Sequence, residues 1–182
     1  MVYYFCRIKK TLIMKKVLLG LFALTATLTS VKAQKDEAAA LTFGAGVHVA
    51  LPIGDFSNVS SFGFGAEGQA EYKFQPNISA IGTTGYSYFI GKDLGGTKIS
   101  TGIIPVLVGA RYYPSTTVFV GAQVGVGFMH ASADGYSANA TGFYYKPQVG
   151  YDGGKFQLAL SYNGISKDGT TSWLGLSGIV KF

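Results

Sequence analysis

Two histidines are the strongest candidates for catalysis in this chain. His48 lies within the alternating stretch LTFGAGVHVAL at 41–51, and His130 lies close to Ser132 and Asp134. A histidine near a serine and a carboxylate supplies the groups that nucleophilic hydrolysis or acyl transfer requires. No serine stands in a nucleophile motif, so the sequence supplies the ingredients of a triad rather than a triad.

Paired carboxylates and metal ligands are the next candidates. Glu67 and Glu71 are four residues apart, which on a strand separates them by ~13 Å. Glycosidase pairs need roughly 5–9.5 Å. Two histidines without a carboxylate cluster make a weak metal site. The sequence therefore predicts no catalytic residue, no metal ligand and no cofactor, and a lipid-modifying enzyme that uses His130 or His48 is kept as an alternative.

A glycine motif matches the dinucleotide-binding fingerprint literally, as Gly63-Phe-Gly65-Ala-Glu-Gly68. That fingerprint works only between a strand and a following helix, where backbone N–H groups meet a pyrophosphate. Here the alternation of apolar and polar residues continues past the glycines. We interpret them as strand glycines that face the inside of a barrel.

Composition excludes several classes of protein. Hydrophobic residues make up 48% of the 182 residues and charged residues only 13%, against a usual charged share of roughly 25%. Six of the fifteen basic residues lie in the first 33 positions, and all nine acidic residues lie beyond them, so the rest of the chain is neutral. A nucleic-acid partner is therefore not expected, because the basic excess belongs to a leader.

The leader has the three regions of a secretory signal peptide. Lys15-Lys16 form the charged region, residues 17–31 form the apolar region, and Val31-Lys32-Ala33 offers small residues at the cleavage positions. The apolar run is shorter than the ~20 residues that a spanning helix needs. We predict a signal peptide over 1–33, cleavage between Ala33 and Gln34, and a mature protein over 34–182.

The start of the leader allows two further interpretations. Met14 precedes Lys15-Lys16 as a conventional signal-peptide start would, so residues 1–13 are either an upstream extension or a mis-assigned start. An uncleaved membrane anchor is the alternative to a signal peptide. The only cysteine, Cys6, falls in this leader, so the mature chain has neither disulfides nor cysteine metal sites.

After residue 40, apolar and polar residues alternate to the end of the chain, as half-buried strands require. Long connections alternate with tight turns such as Gln75-Pro76-Asn77 and Asp152-Gly153-Gly154, which is the outer-membrane pattern. The fold class predicted is all-β: a closed antiparallel up-and-down transmembrane β-barrel of about eight strands. The predicted strands cover 41–51, 62–74, 78–90, 100–113, 118–130, 142–151, 155–164 and 172–182.

A soluble barrel would show a charged face to water. Here the polar face consists mostly of Gly, Ser, Thr and Gln, which suits a narrow interior. The apolar face carries large aromatics near strand ends, as interfacial girdles do. These are Phe62, Phe74, Tyr86, Tyr88, Tyr112, Phe143 and Tyr151. Pro105 and Pro147 lie inside predicted strands, where proline removes a ladder hydrogen bond, so bulges or shifted strand boundaries are expected there.

The polar face also carries ionisable residues. A lone charge in so narrow a lumen would cost several kcal/mol, so opposite charges should pair across it. We expect Arg111 to contact Glu71, and Lys146 to contact Glu67 or Glu71. The whole luminal polar network predicted is Glu67, Glu71, Lys73, Arg111 and Lys146, with Gln69, Gln123, Gln148 and Gln157 completing its hydrogen bonds.

Several stretches resemble the small bacterial outer-membrane β-barrel domain proteins of OmpX and OmpA type in the porin family. They are LPIGDFS at 51–57, FGFGAE at 62–67, GARYYP at 109–114 and the terminal Phe182. The resemblance implies an integral protein of the Gram-negative outer membrane, in contact with its lipid and lipopolysaccharide. It also implies that Phe182 is an assembly signal for the barrel assembly machinery. The resemblance carries over no catalytic residue.

The function predicted from these observations is a non-enzymatic barrel with a filled lumen and a structural or surface-interaction role in the cell envelope. A narrow porin for small solutes is a second alternative beside the lipid-modifying enzyme. The sequence identifies neither a ligand nor a loop partner.

Overall fold

The computed structural model of the chain describes residues 40–94, 97–133, 136–167 and 169–182. The predicted signal peptide, its cleavage position and Asp134 lie outside the described residues. Among the described residues, no helix is long and apolar enough to cross a membrane.

Eight long strands account for most of the described chain. Each overlaps one of the eight predicted strands, with ends that differ by up to six residues, at the start of the strand Tyr136–Asp152. They are β1 Ala40–Ile53, β2 Ser60–Gln75, β3 Ile78–Gly91, β6 Ser100–Tyr112, β7 Val118–Ala133, β8 Tyr136–Asp152, β9 Phe156–Ser166 and β10 Thr170–Lys181. Two strands of two residues, β4 Asp93–Leu94 and β5 Thr97–Lys98, form a separate small hairpin. One short helix, α1 Phe56–Val59, follows β1.

The eight long strands form a closed antiparallel barrel in the order β1-β10-β9-β8-β7-β6-β3-β2. The first and last strands close it through a register that runs from Gly44 with Lys181 to Ile53 with Ser172. Beyond β10, Phe182 N–H donates to Phe43 O at 2.9 Å and Phe43 N–H donates to Phe182 O at 3.3 Å. The predicted fold class is confirmed, including the strand count.

The two ends of the barrel differ in their connections. At the end that we call the turn end, residues 76–77, 113–117 and 153–155 join neighbouring strands. At the opposite end, which we call the loop end, lie α1, the β4–β5 hairpin and the connections from β7 to β8 and from β9 to β10. The turn-end connections have two to five residues. At the loop end, 54–59 and 92–99 are longer, but 134–135 and 167–169 are short, because the flanking strands extend into residues predicted as long connections. The predicted alternation of tight turns with long connections therefore holds for only two of the four loop-end connections.

The outward face of every long strand is apolar. Large hydrophobic side chains stand exposed there, from Val47 at 68% to Val118 at 39%. Contiguous apolar surface on this scale is not compatible with water and requires lipid around the barrel. Most of the girdle aromatics predicted from the sequence are in this exposed set, including Phe62, Tyr112 and Phe143.

The two strand prolines correct the expectation of bulges or shifted boundaries. β6 runs through Pro105 and β8 runs through Pro147. Pairing between β3 and β6 stops after Thr84 with Val106 and resumes in the same register at Ser87 with Ile103. The barrel therefore tolerates a short gap in one ladder, while Pro105 still pairs with Gly127 on its other side. The register shifts lie elsewhere, at the two ends of the β2–β3 ladder.

Candidate functional site

The lumen is where the inward side chains of all eight long strands meet. The luminal residues predicted from parity do lie on the inward face. Seven of them are buried, and Glu67 and Lys73 are half-buried. The seven are Gln69, Glu71, Arg111, Gln123, Lys146, Gln148 and Gln157. One member of the glycine motif departs from the inward placement expected for it, because Gly68 faces outward, where it lies beside Phe43 and Phe182.

The turn end of the lumen holds an ionic group that we call the turn-end cluster: Glu71, Arg111, Tyr113, Asp152 and Lys181. Arg111 Nη1 lies 3.0 Å from Glu71 Oε2, and both side chains are 2% exposed. Tyr113 Oη donates to Glu71 Oε1 at 2.5 Å and lies 3.2 Å from Asp152 Oδ2. Lys181 Nζ reaches Asp152 Oδ2 at 2.5 Å. Two ion pairs are therefore linked through one phenol.

The phenol keeps its proton. Burial, together with the hydrogen bond to the Glu71 carboxylate, raises the pKa of Tyr113, which lies in the turn beyond β6. Ser79 Oγ also donates to Glu71 Oε1, at 2.6 Å. Glu71 therefore has an ionic partner and two hydroxyl donors. A buried carboxylate is tolerated when its oxygens have hydrogen-bond and ionic partners of this kind.

Two of the four glutamines take part in the hydrogen-bond network found here. Arg111 Nη2 donates to Gln69 Oε1 at 3.2 Å, and Gln69 Nε2 donates to Gln157 Oε1 at 2.7 Å. Gln123 and Gln148 were expected to complete the network as well. Both are buried, but neither amide atom of Gln123 has a hydrogen-bond partner, and the Gln148 Nε2 has none.

Two cationic side chains at this level also contact aromatic rings. Lys73 Nζ lies 4.3 Å from the centroid of the Tyr113 ring, and the Arg111 guanidinium lies 4.3 Å from that of Phe119. A cation over an aromatic face gains electrostatic energy from the ring quadrupole. Arg111 thus pairs with an opposite charge, as expected, whereas Lys73 contacts an aromatic ring.

Above the turn-end cluster lies an enclosed polar cavity, which we call the chamber. Lys146 Nζ donates to Glu67 Oε2 at 2.8 Å on its wall. His48 Nε2 lies 2.9 Å from Ser87 Oγ, also on the wall. Gly65 makes room for the imidazole, because a Cβ at that position would lie 2.7 Å from His48 Nε2.

A serine and a histidine thus meet in the chamber, but not in a place where a lipid could react. The chamber leaves about 20 Å³ for the centres of water molecules. Roughly 10–15 Å³ holds one water. The space suits one or two waters and excludes a lipid headgroup.

The second histidine lies on the outer surface. His130 is exposed on β7, and its Nδ1 is 2.7 Å from Asn139 Oδ1 on β8. Ser132, two residues along the same strand, pairs with Ser100. Within the described part of the chain, no group of three His, Cys, Asp or Glu side chains is placed to hold a metal ion.

The loop end of the lumen is closed by an apolar group that we call the mouth cluster. Trp173 lies at its centre, with ring centroids 5.2 Å from Phe89 and 5.5 Å from Tyr144. Phe56 of α1 enters from the loop and contacts Phe89 at 4.9 Å. The other buried members are Ala50, Ile103, Leu107 and Ile165.

Sequence reasoning missed the mouth cluster and the Lys181–Asp152 pair. Trp173 and Lys181 share the inward parity of β10, which was a usable signal. Phe56 had no such signal, because its position depends on how the loop after β1 folds back.

Comparisons with known proteins agree with this architecture. Residues 21–177 match the family described as outer membrane protein beta-barrel domain. No curated protein matches the chain.

Several solved structures share the fold at low identity. Ail, the attachment invasion locus protein of Yersinia pestis, crystallised with the heparin analogue sucrose octasulfate, is 14% identical with a TM-score of 0.62 over 80% of this chain and 99% of its own. Neisserial surface protein A is 19% identical with a TM-score of 0.52, covering 80% and 98%. The N-terminal β-barrel domain of Pseudomonas aeruginosa OprF is 13% identical with a TM-score of 0.52, covering 79% and 99%.

Proposed function

Because the chain belongs to the outer membrane protein beta-barrel domain family, and is thus an integral protein of the bacterial outer membrane, we propose that it is a non-conducting, non-enzymatic barrel. Its role is structural or surface-interactive: the barrel holds the loop end at the membrane surface. The observation that carries this proposal is the lumen, which side chains close at the turn end and at the loop end, with only the small chamber between them.

Ion passage would have to cross three levels. At the turn end, Arg111 and Glu71 are both 2% exposed, and their ion pair joins β6 and β2, which are not neighbours in the sheet. In the chamber, Lys146 meets Glu67. At the loop end, Trp173 is 2% exposed and Phe89 is 0% exposed. A hydrated ion would have to lose its water at each level, which is costly in a low-dielectric space.

The chemistry of the loops argues against one kind of partner. Ail was crystallised with a heparin analogue, which is a polyanion. Among the side chains that the structure describes in the loop-end connections, Lys92 and Lys167 stand against Asp55 and Asp93. A surface so balanced does not favour a polyanion, and a neutral or mixed-charge partner fits better.

Single-channel recording on the pure protein in planar bilayers tests the closed lumen. We expect no steady conductance. The comparison variant removes side chains at all three levels and should therefore produce openings: Arg111, Glu71, Lys146 and Glu67 are replaced by alanine, and Phe89 and Trp173 by glycine. Steady conductance from the unchanged protein would replace this proposal with that of a narrow porin.

Deletion of the gene followed by adhesion and envelope-stress assays tests the surface role. Loss of adhesion or a stress response is expected. Changes in lipid A or phospholipid composition that depend on His130 or His48 would contradict the non-enzymatic part of the proposal.

A further inference from the structure

The mouth cluster differs from the rest of the lumen because one of its members does not belong to the barrel wall. Phe89, Tyr144 and Trp173 project inward from β3, β8 and β10, and they form the sides of a cup. Phe56 comes from α1, the loop helix, and fills that cup from above. The wall residues alone therefore form a concave aromatic surface.

The contacts of Phe56 are those of a ring bound in an aromatic site. Its centroid lies 4.9 Å from that of Phe89 at an interplanar angle of 63°, and 6.3 Å from that of Trp173 at 57°. Edge-to-face geometry at these distances is the favoured arrangement of aromatic pairs. The cup is thus shaped and polarised for a planar apolar ring.

The segment that carries Phe56 is short. α1 has four residues, Phe56 is its only buried residue, and no side chain caps its N-terminus. Gly54, at φ 59°, forms the turn that leads into it. A one-turn helix has no cooperative stability of its own, so α1 depends on tertiary contacts: the insertion of Phe56, the packing of Val59 against the mouth cluster, and the Lys92 hydrogen bonds to Val59 O at 2.9 Å and Ser57 O at 2.7 Å.

We propose that the mouth cluster is a binding pocket for a small planar apolar molecule, and that Phe56 occupies this pocket when the molecule is absent. A ligand of one aromatic ring enters from the loop end as α1 lifts and takes the place of the Phe56 ring against Phe89 and Trp173. Apolar cavities of this chemistry stay dry and bind benzene-sized molecules. The inference does not depend on whether the lumen conducts ions.

Trp173 makes the pocket observable, because it is the only tryptophan in the chain. Iodobenzene is a suitable probe, since it is one planar apolar ring whose heavy atom quenches tryptophan fluorescence on contact. Titration into the purified protein in detergent micelles therefore reports contact of the probe with Trp173, and saturation distinguishes occupancy of the pocket from partition.

Three proteins are compared: the unchanged chain, Phe56→Ala and Phe64→Ala. Phe64 is the matched control because it is a lipid-facing aromatic, 48% exposed, on the outer surface of β2. We expect saturable quenching in the unchanged chain and saturation at roughly tenfold lower probe concentration in Phe56→Ala, because a pocket that is always open pays no cost for opening. Phe64→Ala should titrate like the unchanged chain.

Two results would overturn the inference. Quenching that rises linearly without saturation in all three proteins would mean that the probe reaches Trp173 only by partition. Saturation confined to Phe56→Ala would mean that the substitution created a cavity and that the natural chain has no site. Phe56→Leu keeps most of the buried volume and serves as the test variant if Phe56→Ala fails to fold. It should saturate at a lower probe concentration than the unchanged chain.

Discussion

Arg111 on β6 and Glu71 on β2 form an ion pair at 3.0 Å over the inward face of β3, the strand that lies between theirs. The two residues are 40 positions apart in the chain. Ser79 of β3 also donates to Glu71, so the pair and this hydroxyl join three strands on the inside of the barrel at the turn end.

Removal of one member of this pair should destabilise the barrel strongly. Glu71→Gln leaves the Arg111 guanidinium buried without a carboxylate, and breaking such a pair costs about 3–5 kcal/mol. Urea unfolding of the protein in lipid vesicles measures this loss. Asp55→Asn, at an exposed loop position, is the control and should change the free energy of unfolding by less than about 0.5 kcal/mol.

Removal of both members should cost less than removal of one. In Glu71→Leu with Arg111→Met, no charge is left unpaired, and apolar substitutes for a buried pair are often neutral. The double variant should therefore recover most of the stability that Glu71→Gln loses. A double variant less stable than Glu71→Gln would show that the pair does more than balance its own charges.

Tyr113→Phe tests the link between the two turn-end ion pairs. The change removes the hydroxyl that donates to Glu71 and approaches Asp152. Ser79 still donates to the same Glu71 oxygen, so the loss is one hydrogen bond to a charged group, about 1.5–3 kcal/mol. Thermal or urea unfolding measures the effect. Tyr112→Phe is the control, because Tyr112 faces lipid and is 49% exposed. Equal losses in the two variants would contradict a role for the Tyr113 hydroxyl in the cluster.

Deletion of Phe182 should impair assembly in cells more than stability. The Phe182 side chain is 79% exposed, so it contributes little packing, although its backbone pairs with Phe43. We expect less protein in the outer membrane and nearly unchanged refolding in detergent. Phe182→Ala keeps the backbone pair and should show the same cellular defect. Normal insertion of both variants would refute an assembly signal at this position.

The mature protein should begin at Gln34. The expectation depends on the small residues at 31 and 33 after the apolar run. N-terminal sequencing of the protein from purified outer membranes tests it. Cleavage should fail when Ala33 is replaced by a bulky residue such as phenylalanine. A dominant species that retains Lys15-Lys16 would instead support an uncleaved anchor.

The strands, their two faces and the surrounding lipid could be predicted from the sequence. A side-chain period of two is a local property of extended backbone, so the inward placement of Glu71, Arg111 and Lys146 and the outward placement of the apolar set could be derived residue by residue. These predictions need no knowledge of which strands meet. The lengths of the connections were predicted less well, because β7 and β8 extend to within two residues of each other.

The contact of Arg111 with Glu71 was expected from the sequence, but the other contacts among the inward groups depend on how the sheet closes. Closure of the sheet sets the height of each residue around the lumen, and only that height pairs Lys146 with Glu67, places Lys73 over Tyr113 and leaves Gln123 without a partner. The tolerance of the two prolines also depends on strand pairing: each proline lies in a strand whose ladder with β7 is continuous, and that ladder holds the register. Phe56 in the mouth cluster is the clearest case: a loop residue has no strand parity, and its burial arises from the cup that Phe89, Tyr144 and Trp173 form on three strands distant in the chain.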